Sequence, residues 1–597
     1  MTEEIKPENN GLLHALTGFL KSPSYFFLVV LLLCGRFVYL EQDPPNWIVS
    51  HMWVGDEVLY SMGALNYYNH GTIQNLESPL KNLDLVVSGI LSVPLTYLGL
   101  LLFGKSLIAV RLPGVIISIC ILFCSWLVLK SGTSQTMSRL LFLYLLVDFY
   151  FLVVSRFPTP TLYSALMLSL LALTLADLGD QRVQISYWRF LAIGFMVVFS
   201  LHIYIYSIFF ALSAFIVAGL LAWRQPSRQG IFAIFSGMAI GVVFYFICIW
   251  ISGVTLHDIV ARYQIQKGYS HFFDASDSAV SFVSAAIQRI PASIMQLSYT
   301  NFFRFNPQLL FLSLLLPLPL FTRRYYRNPF QLFLVLSLVL FILQFSFEDS
   351  LPERKMFPCL LLIIYLASTV IPGDFIEAFA DWRKKSPITF FLYISAMLAT
   401  AILVICYTNK NPTYMFNFIT GLAGRHIPRI IAIAGFAIVC YYFFLCATIL
   451  HINTKRLILC CVLLLIPNIM LDAYYFGYNR SYYYRDFMSG LGQYTNGKTV
   501  IGGDTNQLYN SMISVLFDDN NKYNTELYEH ELDRLFSSGA AEYFLVYYFP
   551  YKVPSLDSSK GALMRQGESY RVEVVASFTN PLPMGYFLLG QRISSGK

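Results

Sequence analysis

The feature that most constrains this chain is a series of about fourteen apolar stretches, near residues 24–41, 85–103, 107–129, 140–155, 161–177, 188–203, 208–223, 230–252, 308–322, 329–347, 356–372, 387–406, 431–450 and 457–475. A run of about 18 or more residues with almost no charge can cross the hydrocarbon layer as a helix. Inside that layer every backbone amide must be bonded within its own segment, so a run of this length spans as a helix. Charged residues make up 13% of the 597 residues, against roughly 25% in soluble domains. The sequence predicts an α-helical polytopic membrane protein and excludes a soluble globular one. Its first residues, MTEEIKPENNGLLHALTGFLKSPSYFF, show neither the short basic region nor the small-residue cleavage site of a removable signal peptide. The first span is therefore expected to be retained.

Topology follows from where the cations lie. Lys and Arg concentrate in Lys130–Arg139, Gln181–Arg189, Trp223–Arg228, Arg323–Arg327, Trp382–Lys385 and Thr454–Arg456. Cytoplasmic loops carry such an excess. These six loops share one side, with the N-terminus, only if an odd number of spans separates Glu41 from Lys130. One of the runs 85–103 and 107–129 must then fail to cross. The first contains Pro94, Gly89 and Gly99 and follows Lys81 and Asp84, and it is expected to lie along the interface. About thirteen transmembrane helices remain. The outer face then receives the loop 42–106, the Arg156–Thr161 turn, the loop 253–307, the Glu348–Lys355 loop and the tail 478–597. Residues 1–477 form a transmembrane domain on this reading. The tail is polar and alternates in GKTVIGGD, AEYFLVYYF, YRVEVVASF and GYFLLGQR, around an amphipathic stretch, NTELYEHELDRLFSS. It predicts a small extracytoplasmic α/β domain. The net charge of +7 is accounted for by the inner loops, and no basic patch suits a nucleic acid. The ten cysteines fall almost wholly inside apolar runs, as packing residues, with no spacing suited to zinc.

Candidate chemistry gathers in the first outer loop. Asp56 and Glu57 are adjacent carboxylates just beyond the first span, in a chain with 34 acidic residues. Leu59, Met62, Leu65 and Tyr67 follow at helical spacing, which predicts a helix along the membrane surface. Acids in a first helical turn are also favoured by the helix dipole alone. Arg111, Arg262, Lys267, His271, Arg354 and Lys355 belong to outer segments. Such cations make charge-assisted bonds to phosphate, and equally reach for lipid headgroups. Asp148 lies within LLFLYLLVDFYFLVV. An unpaired carboxylate there costs about 2.5–3.5 kcal/mol at the bilayer centre, so a partner is expected, Arg36 or Arg156.

The order of short motifs resembles a known family. A span is followed by Asp56-Glu57-x2-Tyr60, a helix, Asn69-His70-Gly71, Glu77-Ser78-Pro79-Leu80, an apolar helix, Leu102-Phe103-Gly104 and Ala109-Val110-Arg111-Leu112-Pro113. This resembles the membrane glycosyltransferases of the GT-C type, in particular the aminoarabinose transferases and protein O-mannosyltransferases. The likeness covers the first 130 residues and the span layout, and RKMFPCLLLIIYLAS (354–368) is similar to that family's basic, proline-containing approach to a later span. The resemblance implies transfer of a sugar from a polyprenyl-phosphate carrier to a lipid, glycan or protein acceptor, on the outer face of a membrane such as the bacterial inner membrane. It implies Asp56 as the first-loop catalytic acid with Glu57 beside it, and Glu77 as the acid before a proline. Arg111, Arg262, Lys267, His271, Arg354 and Lys355 become candidates for holding substrate. Many relatives carry a further acid after the third span, where Ser155–Thr161 has no carboxylate. Asp148 is the candidate second acid; Glu77 in that role, or a single acid, are the alternatives. Participation of a divalent metal stays open. The competing readings are a transporter or flippase of a glycolipid and a catalytically inactive GT-C-like scaffold, although no inverted repeat of the transporter kind is evident.

Overall fold

The computed structural model of the chain describes residues 19–42, 61–71, 90–133, 135–156, 159–176, 186–203, 207–224, 228–252, 328–345, 356–370, 387, 465–473, 500–503, 543–548, 572–579 and 586–592. Helices dominate them. In chain order they are α1 (Pro23–Gly35), α2 (Met62–His70), α3 (Ile90–Phe103), α4 (Leu107–Gly132), α5 (Gln135–Val147), α6 (Phe149–Val154) and α7 (Pro160–Ala176). Then come α8 (Tyr187–Ile203), α9 (Ser207–Arg224), α10 (Gln229–Ser252), α11 (Pro329–Phe345), α12 (Phe357–Val370) and α13 (Leu465–Asp472). Among the described residues three stretches, Leu107–Gly132, Ser207–Arg224 and Gln229–Ile251, are long and apolar enough to cross a membrane. The runs expected at 308–322, 387–406 and 431–450 lie outside the described residues, Pro387 apart.

Side-chain bonds sort the helix ends into two layers. At one, Arg139 donates to the Leu20 carbonyl, the Tyr25 hydroxyl donates to the Arg139 carbonyl at 3.1 Å, and Gln331 reaches the Thr369 carbonyl at 3.3 Å. At the other, Arg36 meets Ser155, Arg111 meets Leu40, and Phe151 packs on Phe357 with ring centroids 5.1 Å apart. Helix α1 therefore ends in the layer where α4 begins. Gln42 and Ser106, the N-cap of α4, both belong to that layer. Helix α3 lies close to the start of α4, where Gly99 comes so near that a Cβ there would stand 2.4 Å from the Ala109 carbonyl oxygen. Pro94, inside α3, has no amide hydrogen to give the Ile90 carbonyl.

Two expectations change in detail. The run 24–41 is helical only to Gly35, and the chain then turns through residues 36–42, with Tyr39 at φ 56°. The run 140–155 is not one helix: it starts at Gln135 and breaks at Asp148, which takes an extended backbone and separates α5 from α6. A short polar side chain that can bond the next turn's amides favours such a break.

Between helices, packing uses small residues and hydroxyls. Tyr365 shares its hydroxyl with Ser125 (2.7 Å) and Ser169 (3.0 Å), tying α12 to α4 and α7. Helices α8 and α10 meet along glycines: a Cβ on Gly194 would stand 2.0 Å from the Ile234 oxygen, and one on Gly237 2.0 Å from the Leu191 oxygen. Such close backbone approach is how helices gain contact area within lipid. Gly237→Ala should therefore lower stability by about 2 kcal/mol through overpacking against fixed backbone. Gly219→Ala, with open space around its Cβ, should stabilise its helix by about 0.5–1 kcal/mol. Melting of the two variants in detergent, measured side by side, checks the opposite signs.

In the tail, the four alternating segments form strands β1 (Val500–Gly503), β2 (Tyr543–Tyr548), β3 (Val572–Thr579) and β4 (Tyr586–Arg592). They make one sheet in the order β1-β2-β4-β3. The pair β1–β2 is parallel, with Val500 opposite Tyr543, and the other two pairs are antiparallel. A parallel pair requires a crossover. The helix expected over 524–538 falls in that connection and lies outside the described residues.

Candidate functional site

The layer that receives Arg36 collects buried charge from distant segments of the chain. Arg36, Arg111, Asp148 and Arg156 are all buried there, at 1%, 0%, 0% and 5% exposure. Burying a guanidinium is costly unless its donors are met, and carbonyls freed by irregular backbone meet them. Arg156 donates to the carbonyls of Val38 (2.8 Å) and Tyr39 (2.9 Å). One nitrogen of Arg111 donates to Leu40 (2.6 Å) and Gln42 (2.8 Å). Four carbonyls of the 36–42 turn are thus held by two arginines, from α4 and from the residues after α6. The clamp also explains how Tyr39 keeps a left-handed backbone, which costs about 1–2 kcal/mol.

Arg36 itself faces the helix break. Its guanidinium lies 4.5 Å above the Phe151 ring and donates to the Ser155 hydroxyl at 3.0 Å. Its other terminal nitrogen points at the carbonyls of Leu145 and Leu146, at 3.5 and 3.4 Å. Those are carbonyls that the interruption after Val147 leaves without regular helical partners. Asp148 caps α6, accepting from the Phe151 amide at 2.7 Å. Arg36, one of the two cations expected near Asp148, faces the same break through Phe151 and Ser155.

Asp472 was not singled out by the sequence reading. It ends α13, which packs against α5 and α6. The residue is half-buried as a whole, but its Oδ1 is fully covered and has no hydrogen-bond partner among the described residues. A signal existed: a lone acid in LLLIPNIMLDAYYFG, inside the final apolar run, is a candidate functional residue on intramembrane cost alone.

Helix α2, in the stretch where the sequence predicts a surface helix, spans Met62–His70 and ends on a left-handed Gly71 at φ 66°. A glycine at this place satisfies the final carbonyls without steric penalty. Ala64 and Leu65 are buried, whereas Tyr67 is exposed, so Leu65 and Tyr67 do not share a buried face as the spacing suggested. Tyr67 instead packs edge-on against Tyr97 of α3, with centroids 5.1 Å apart.

Of the residues expected to act, Arg111 and Asp148 belong to the charged layer. Asp56, Glu57, Glu77, Arg262, Lys267, His271, Arg354 and Lys355 lie outside the described residues. Among the described residues no group of three or more His, Cys, Asp or Glu is placed to hold a metal ion.

No family model matches the chain, and no curated protein matches it. Two solved structures are similar to it. One is the crystal structure of ArnT from Cupriavidus metallidurans bound to undecaprenyl phosphate, 12% identical, with 96% of this chain and 98% of that chain covered and a TM-score of 0.48. The other is ArnT from the same organism in the apo state, 13% identical, covering 95% and 98%, with a TM-score of 0.47.

Proposed function

We propose that this chain is a membrane glycosyltransferase that moves a sugar from a polyprenyl-phosphate carrier to a lipid, glycan or protein acceptor on the outer face of the membrane. The observation that supports the reading is where the ends of the first long connection lie. Gln42 and the start of α4 belong to the same layer, and Arg111 grips the turn that ends at Gln42 by two carbonyls. Between those points lie the residues that resemble the GT-C family's: Asp56 and Glu57 beyond the first span, and Glu77 before Pro79. The basic segment Lys130–Arg139 joins α4 to α5 at the opposite end, so the charge rule makes the Arg36 layer the outer one.

The reaction requires few groups. An acceptor hydroxyl or amine attacks the anomeric carbon, the bond from that carbon to the phosphate oxygen breaks, and polyprenyl phosphate leaves with the bonding electrons. Asp56 takes the proton that the acceptor loses, a role that commonly contributes about 10²–10⁴-fold. Glu57 orients the Asp56 segment or a metal, and Glu77 lies in the same loop. Arg262, Lys267, His271, Arg354 and Lys355 are the cations available to offset charge growing on the phosphate. On this reading the tail 478–597 is an extracytoplasmic α/β domain, and the transmembrane domain, residues 1–477, holds about thirteen spans.

One observation favours a transporter instead. The break at Asp148 is a discontinuous helix carrying a buried acid, of the kind that binds ions in carriers. Its free carbonyls are turned to Arg36, however, which leaves the break filled by the protein's own side chain. Purified chain in vesicles with labelled lipid-linked sugars separates the two. An enzyme moves the label to acceptor and releases polyprenyl phosphate, whereas a flippase returns the intact donor in the other leaflet.

A further inference from the structure

We propose that the α5–α6 break is a preformed binding site for an alkylguanidinium cation, and that its resident in this protein is the Arg36 side chain, which latches the end of α1 to the helical body. The site has three kinds of wall. The Leu145 and Leu146 carbonyls stand 3.5 and 3.4 Å from one terminal nitrogen of Arg36, and the Ser155 hydroxyl accepts from the other at 3.0 Å. The Phe151 ring lies 4.5 Å from the guanidinium carbon and covers its face. Carbonyls released by a broken helix, together with an aromatic face, are groups that hold a cation where water is scarce. Their layout suits a planar guanidinium better than a compact ammonium, because its donors leave in two directions while its face stacks. The Nε is covered and has no partner, so the two terminal nitrogens and the ring face carry the binding.

Each wall is held without help from Arg36. Asp148 fixes the Phe151 amide at 2.7 Å, and Phe357 of α12 braces the Phe151 ring, with centroids 5.1 Å apart. The Ser155 hydroxyl gives its hydrogen to the Leu152 carbonyl at 3.0 Å, which leaves its lone pairs to the cation. The two carbonyls belong to the last turn of α5. The site is thus organised before its occupant arrives, and it keeps its shape for a free ligand when the Arg36 side chain is cut away. Helix α1 needs such a latch. Tyr25, in the opposite layer, is the one buried residue among its thirteen, and Arg36 follows its last turn at 1% exposure.

The test uses the full-length chain, extracted and melted in detergent with and without ethylguanidinium. Arg36→Ala empties the site. Ethylguanidinium should raise the melting temperature of this variant along a saturating curve, by about 2 °C at ten times the half-saturating concentration. The parent, whose site is filled, should not move. Ethylurea, which has the shape without the charge, should do nothing to either chain. Ser155→Ala added to Arg36→Ala should raise the half-saturating concentration about tenfold, as the loss of one bond to a charged group implies. No rise in Arg36→Ala, an equal rise in the parent, or an equal response to ethylurea overturns the proposal. If Arg36→Ala aggregates with and without ethylguanidinium, Arg36→Lys and Arg36→Met decide. Lysine keeps a cation near the carbonyls and the ring and should melt closer to the parent. Methionine melting as high as lysine would mean that the break is a packing void rather than a cation site.

Discussion

Asp56→Asn should lower sugar transfer by about two to four orders of magnitude while leaving expression and melting close to those of the parent. The amide keeps the shape of the side chain, but it cannot accept the acceptor's proton. Glu57→Gln should cost less, since that carboxylate orients its neighbour. The pair therefore distinguishes a base from an acidic surface. Two equal, small losses would mean a field effect shared by both groups, and near-normal transfer by Asp56→Asn in a chain that binds donor would remove the catalytic assignment. Thr159→Asp puts a carboxylate into the turn that lacks one. It should change transfer little if a second acid is merely optional.

Arg36→Met carries the largest expected effect on stability. The side chain is 1% exposed and lies over Phe151, with donors on Ser155 and toward the Leu145 and Leu146 carbonyls. Methionine replaces much of the volume but leaves the Ser155 hydroxyl and the Leu145 and Leu146 carbonyls without the arginine's donors. Stranding buried polar groups costs about 1–3 kcal/mol each. Melting in detergent, followed by the fraction that elutes as monodisperse protein, reports the loss.

These residues also mark how far the sequence could be read. The apolar runs announce helices because no other structure satisfies backbone amides in lipid, and α4, α9 and α10 lie where the runs predict. The strand segments of the tail were equally legible: alternation places β1 to β4 within three residues of the expected stretches, though their order and the parallel β1–β2 pair were not. The break at Asp148 was hidden, since hydrophobicity runs through it without a glycine or proline to mark it. The early end of α1 was hidden in the same way, because residues 36–42 are held as a turn by arginines more than sixty positions away. Asp148 was recognisable as a residue needing a partner. Its grouping with Asp472, over three hundred residues further on, depends on the packing of α13 against α5 and α6.

The most direct measurement is protection of a cysteine at Asp56 from a membrane-impermeant maleimide. In sealed vesicles of known orientation, Asp56→Cys should be labelled only from the outer face. A polyprenyl phosphate at ten times its Kd should slow that labelling roughly tenfold, and the corresponding polyprenol, which has the chain without the charge, should not. Labelling from the cytoplasmic face, or labelling from the outer face that polyprenyl phosphate does not slow, would contradict the account.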